Sequence, residues 1–164
     1  MESTLIPQEQ QRGPSIEFLK TPSGVLMLIN FILLFISWCI VAGWRGAIDG
    51  TLSNTIENET GFYLFTTVFP WILYIVIFII LIFGFQNNMT AINWPLAFVI
   101  NCVIWAFLLF ISSCVIASKT NDSDILESQR LKAATAFGFF SLIGLLLQAF
   151  FHHREFKKSS SSPV

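Results

Sequence analysis

Charge is what this sequence has least of. From Thr60 through Ser118 there is no Asp, Glu, Lys or Arg, and charged residues make up only 12% of the chain, against roughly 25% in soluble domains. That scarcity excludes an ordinary soluble fold. No ionisable carboxylate, amine or guanidinium falls inside the long apolar runs, which argues against a proton relay, a coupled-ion site or a voltage sensor. Histidine is confined to the adjacent pair His152 and His153. Neighbouring side chains on a helix point about 100° apart and do not converge on one ion, so the pair reads as part of an interfacial basic cluster in "HHREFKK". Cys39, Cys102 and Cys114 lie in apolar runs without CxxC spacing, which argues against a disulfide framework or a zinc site. They read as small packing residues, with palmitoylation as the rival. With no catalytic constellation, an enzyme is not expected, and neither is a cofactor or a metal. A net charge of −1 gives no basis for nucleic acid as a partner.

What is abundant is apolar and aromatic. Hydrophobic residues are 54% of the chain, mean hydropathy is +0.70, and there are 18 phenylalanines. A bilayer core of about 30 Å needs roughly 20 apolar residues as a helix. Four runs qualify: 24–43, 61–84, 96–117 and 133–151. They are continuously apolar rather than alternating, which excludes barrel strands. The expected fold is all-α, a four-helix transmembrane bundle over residues 21–152, with short loops and both termini on one side. Residues 1–20 and 153–164 form the tails. No cleavable leader is expected, so the first helix serves as the targeting signal.

Residues 61–117 are too long for one crossing and long enough for two. "GFQNNMTAINWP" between them reads as the turn of a transmembrane hairpin. Its amides stay wet without charge, Asn93 and Trp94 sit at the interface, and Pro95 fits the first turn of the third helix. Basic residues favour the tails and this turn (Arg12, Lys20, Arg154, Lys157, Lys158) slightly over the other two loops (Arg45, Lys119, Arg130, Lys132), which points to cytosolic termini. Sequons at Asn58, Asn88 and Asn121 lie on the wrong side or too near a helix end, and are expected to stay bare.

These segments resemble the MARVEL-domain tetraspans. "FLKTPSGVLMLINFILLFISWCIVAG" is similar to the first helix of that family, "GFYLFTTVFPW" to the second helix of its plasmolipin and MAL members, and "INWPL" to the approach to the third helix. "SQRLKAATAFGFFSLIGLLLQAFF" is similar to its Ala-rich fourth helix. The likeness runs from Phe18 to Lys158, strongest to plasmolipin, with the chemokine-like-factor-like members second. Pro70 has no match in it. The resemblance implies cytosolic termini, location in the plasma membrane and endosomal or Golgi vesicles, and a role in membrane organisation, vesicle traffic or apical sorting. The partners it implies are membrane lipids, sterol-rich domains among them, other membrane proteins and further copies of the chain. The alternatives are an oligomeric channel or a regulator of membrane-protein turnover.

Specific residues carry further expectations. Asn30 and Asn101 lie at matching depth in the first and third helices, so they either pair with each other or bond locally. The resemblance places Asn30 where members often carry Gln or Glu. Pro70 leaves the Thr66 carbonyl without its donor, which predicts a kink, with Thr66 or Thr67 satisfying that carbonyl. Ala134 and Gly138 form a small-xxx-small face for close helix approach. In the tail, Arg154, Lys157 and Lys158 attract anionic lipid, and phosphorylation of Ser159 to Ser162 would oppose that attraction. Ser162 and Val164 form a terminal pattern that PDZ domains take by strand addition. Otherwise the tail is disordered.

Overall fold

The computed structural model of the protein describes residues 20–47, 56–83, 93–120 and 128–160. They form four helices: α1 (Pro22–Ala47), α2 (Glu57–Ile82), α3 (Trp94–Thr120) and α4 (Ser128–Ser160). Each contains a stretch long and apolar enough to cross a bilayer. The middle turn at 84–92, the tail residues Ser162 and Val164, and the sequons at Asn88 and Asn121 lie outside the described residues. Asn58 is exposed in the first turn of α2.

Most helix ends extend beyond the apolar runs, because capping and polar side chains continue them into the interface. Thr21 begins α1: its Oγ accepts from the Gly24 amide at 3.1 Å and its carbonyl from the Val25 amide at 3.0 Å. Pro22 follows at the first helical position, where its missing donor costs nothing. Asn93 begins α3 in the same way, accepting weakly from the Leu96 amide at 3.4 Å. Pro95 then falls in the first turn. At the other end of the bundle, Glu57 and Glu59 occupy the first turn of α2, where the helix dipole favours them. Arg45 at the end of α1 meets Glu57 at 3.2 Å, and Lys119 at the end of α3 meets Glu59 at 3.8 Å. Such exposed pairs contribute about 0–1 kcal/mol each but tie three helix ends together.

The tail after the fourth crossing differs from expectation. α4 is 33 residues long, about 50 Å at the helical rise, and therefore outreaches the hydrocarbon core. The basic cluster from His153 to Lys158 is a helical extension, not the start of a disordered tail. Lys and Glu are good helix formers, and nothing in the cluster breaks the helix.

The helices are arranged in a ring in chain order. α1 packs on α2 and α4, and α3 packs on α2 and α4, so α1 and α3 lie across one diagonal. α4 makes the most extensive contacts, with α3 and then with α1. Its inner face is lined by small residues: Ala134, Gly138 and Gly144 are all buried. The seams of α2 are instead filled by aromatic rings. Phe31 stacks on Trp71 at 5.3 Å between α1 and α2, and Phe69 meets Trp105 at 5.1 Å between α2 and α3. Small residues let backbones approach closely, whereas rings hold them apart.

α2 continues as helix through the buried Pro70. The hydroxyls near it do not serve the Thr66 carbonyl as expected. Thr66 and Thr67 both donate to the Tyr63 carbonyl one turn earlier, at 3.0 and 2.9 Å. A hydroxyl in a helix reaches the carbonyl three or four residues before it and cannot bend back to its own turn.

A Cβ on Gly138 would lie 2.5 Å from the Tyr63 hydroxyl and 2.8 Å from the Ser113 hydroxyl, whereas one on Gly61 meets nothing within 4 Å. Gly138→Leu is therefore expected to lower stability by about 1–3 kcal/mol through overpacking, and Gly61→Leu to leave it nearly unchanged. Thermal or denaturant unfolding of the two variants in detergent checks the difference.

Candidate functional site

The buried positions of each helix recur at steps of four and three residues. On α1 they are Ser23, Met27, Asn30, Leu34, Ser37, Val41 and Trp44; on α4 the stripe runs through Ala134, Gly138, Ser141, Leu145, Gln148 and His152. That is the heptad spacing of helices that interdigitate along their length. Much of this interior is polar. Ser, Thr, Asn, Gln and His stand in the stripes, while Phe107, Phe140 and Phe150 face outward. The polar side chains form three tiers along the bundle.

Nearest the termini, the Ser23 hydroxyl on α1 lies 3.0 Å from Nε2 of His152 on α4. The imidazole stacks on Phe98 of α3, with centroids 4.9 Å apart and planes 19° apart, and Phe98 in turn meets Trp94. The expectation that both histidines belong to a surface cluster holds for His153, which is exposed, and fails for His152, which is buried. The two rings diverge around the helix, so one turns inward when the other faces water.

In the middle tier, Gln148 of α4 is the hub. Its Oε1 accepts from Asn30 Nδ2 of α1 at 3.2 Å and from the Tyr74 hydroxyl of α2 at 2.9 Å. Asn30 Oδ1 lies against Gly144, where any Cβ would collide with it. The pairing of Asn30 with Asn101 does not occur. Asn101, half-buried, accepts from Trp105 Nε1 at 3.1 Å within its own helix. Equal depth is not enough, because α1 and α3 are diagonal and α4 supplies the nearer amide.

In the third tier, the hydroxyls of Ser37 (α1) and Tyr63 (α2) are 2.6 Å apart, and both reach the Ala134 carbonyl of α4, at 3.0 and 2.6 Å. Two protons serve three contacts, so two bonds are made at any moment. Ala134 and Gly138 thus have a defined place: the first offers its carbonyl, and the second leaves room for the tyrosine ring that reaches it. Thr66 of α2 and Ser112 of α3 close the ring at 2.7 Å.

This interior holds hydrogen-bond donors and acceptors drawn from all four helices. Among the described residues no group of three His, Cys, Asp or Glu is placed to hold a metal ion. Its chemistry is recognition of one helix by another. Gln148, Tyr74, Tyr63 and Ser37 were not singled out from sequence, and His152 was assigned to the surface. The four–three spacing of polar residues within apolar runs is the signal that could have found them.

If Gln148 links Asn30 to the bundle, Asn30→Leu and Gln148→Leu will be non-additive in a double-mutant cycle, with a coupling of about 0.6–1.7 kcal/mol. The cycle of Asn30→Leu with Asn101→Leu will be additive. Unfolding in mixed micelles reads both cycles.

The MARVEL membrane-associating domain matches residues 18–151. Plasmolipin of Rattus norvegicus is 26% identical over 153 residues, covering 91% of this chain and 79% of the relative. Plasmolipin of Homo sapiens is 25% identical over the same shares. MARVEL domain-containing protein 1 of Xenopus laevis is 24% identical over 127 residues, 77% of this chain and 69% of the relative. No solved structure matches the chain. The matched residues take in the three polar tiers almost whole and end one residue short of His152; with four membrane-spanning helices around them, this chain belongs to the MARVEL family of multi-pass membrane proteins and resembles plasmolipin.

Proposed function

We propose that the protein acts by lateral association in the membrane, gathering lipids and other membrane proteins, including further copies of itself, into domains that are sorted through vesicles. The observation that carries this reading is the division of the bundle into a polar inside and an aromatic outside. Hydrogen-bonding groups bind helix to helix, whereas Phe65, Phe107, Phe140 and Phe150 are each more than half exposed. Exposed phenyl rings in a bilayer touch acyl chains or the apolar flanks of other helices, so these are the partners the surface offers. The loops between the described helices are short, which leaves little outside the bilayer to enclose a soluble ligand. An oligomeric channel has less support, because most of the hydroxyls and amides that would line a pore between copies are turned inward, into the interior of one chain.

In this reading the termini lie on the cytosolic side and the protein resides in plasma membrane and endosomal or Golgi vesicles; the likeness to plasmolipin and MARVEL domain-containing protein 1 supports the membrane-associated part of it. Proximity labelling in polarised cells, combined with detergent-resistance fractionation, tests the reading. Labelled neighbours are expected to be other membrane proteins that co-fractionate with this one, and Phe107→Ser with Phe140→Ser should disperse them while the polar tiers keep the fold. A neighbour set identical in the double variant, or a uniform distribution across fractions, counts against lateral association. Val164→Ala, and reversal of charge in the Ser159–Ser162 run, separate tail-borne sorting from sorting through the bundle.

A further inference from the structure

The outward face of α4 changes character at its last apolar turn. Ile143, Leu146 and Phe150, each more than half exposed, follow one another at steps of three and four. His153, Arg154 and Lys157, all exposed, continue the same face. One line along the helix therefore runs from apolar to basic where α4 leaves the hydrocarbon. The opposite side fixes its direction: Ser23 and Phe98 hold His152 inward, so the basic line faces out from the bundle. The Arg154 guanidinium lies over the Phe150 ring, 5.8 Å from its centroid. A long helical side chain leans over the turn before its own Cα, which brings this cation back to the level of the last exposed ring. A guanidinium over a ring still presents N–H donors to an oxyanion.

We propose that this line docks an anionic phospholipid of the leaflet at the terminal end, with the phosphate against Arg154 and Lys157 and an acyl chain along Phe150, Leu146 and Ile143. Charge and position select the occupant. The cations stand at the border of the hydrocarbon, where headgroups lie, and the apolar residues beside them belong to the membrane-spanning stretch. Basic residues at a helix exit meet an anionic surface where the leaflet is cytosolic, the side on which the proposed orientation puts the termini. A disordered tail would attract such lipids by charge alone. The helix adds a fixed direction and a fixed spacing from the cations to the apolar residues that hold the chain. The inference rests on the lateral-association reading and deepens it by naming a lipid class and a place. Its failure would leave the cellular neighbour test of that reading untouched.

Native mass spectrometry of the full-length protein, released from micelles doped with phosphatidylglycerol or phosphatidylcholine, tests the proposal. The wild type is expected to retain phosphatidylglycerol preferentially. Arg154→Gln should weaken that retention about fivefold, the factor for one lost cation near a membrane surface. Phe150→Leu should weaken it as well, by releasing the guanidinium from the ring. Phe156→Lys combined with Lys157→Phe keeps composition and net charge but turns the cation about 100° round the helix. This exchange should weaken retention as much as Lys157→Gln does. Lys20→Gln, which removes an exposed cation just before α1 at the same end of the bundle, should behave as wild type. Equal retention of the two lipids by the wild type would overturn the site. An equal loss in Lys20→Gln, or wild-type retention in the exchanged variant, would reduce it to general surface charge. Displacement of the lipid by inorganic phosphate at matching concentration would make it a free-anion site. Arg154 and Lys157 are exposed, so their variants leave the core untouched.

Discussion

The bilayer core contains no water, and that single constraint organises this protein. Each hydroxyl or amide placed at membrane depth must find a partner in the protein or stay unsatisfied at a cost. Apolar side chains gain little by packing inside, because lipid is as apolar as they are. Polarity therefore takes over the part that apolarity plays in water: it marks the inside. Asn30, Gln148 and Tyr74 meet because none of them has an acceptable place facing lipid, and the helices follow.

Helix α4 turns this constraint into a definite arrangement. Its small residues let α1 and α3 approach, and the polar groups beside them become reachable. Tyr63 extends across a diagonal of the bundle to the Ala134 carbonyl only because Gly138 has no side chain in its path. Tyr74 crosses the same diagonal to Gln148. The two tyrosines thus fasten α2 to α4 although the two helices are not neighbours in the ring. Aromatic rings fill the wider seams on either side of α2, where hydrogen bonds across the gap are few. Close packing and polar pairing are one device here, since the bond lengths require the approach that glycine and alanine permit.

The ends of the bundle are built differently from its middle. On the side away from the termini, two exposed ion pairs join three helices. On the terminal side, His152 is buried under a ring of Phe98 with its edge on Ser23, while the following turn runs on into the interface as helix. A protein of this kind presents the bilayer with an aromatic flank and the leaflet borders with a few fixed charges. Those features can vary without disturbing the core.

Four crossings, the hairpin in the uncharged middle and the family resemblance were all legible in the sequence, because they depend on length, apolarity and local chain chemistry. Thr21 and Asn93 cap helices as their residue types dictate, and the 20-residue requirement of a bilayer counts helices without any tertiary knowledge. The candidate site was legible only in fragments. Ala134, Gly138 and Asn30 stood out as residues that must face inward, but their partners did not. Hydropathy cannot rank the faces of a helix whose surroundings are as apolar as its core. Asn101 was the partner that equal depth suggested for Asn30, until the ring order of helices set α4, with Gln148, beside α1 and α3 across from it. His152 and His153 were indistinguishable in a basic cluster until the rotation of α4 buried one and exposed the other. The sequence by itself determined which segments enter the membrane and which side chains cannot face lipid. Only the tertiary structure decided who meets whom, because a hydrogen bond needs an approach of about 3 Å that helix adjacency and rotation alone provide.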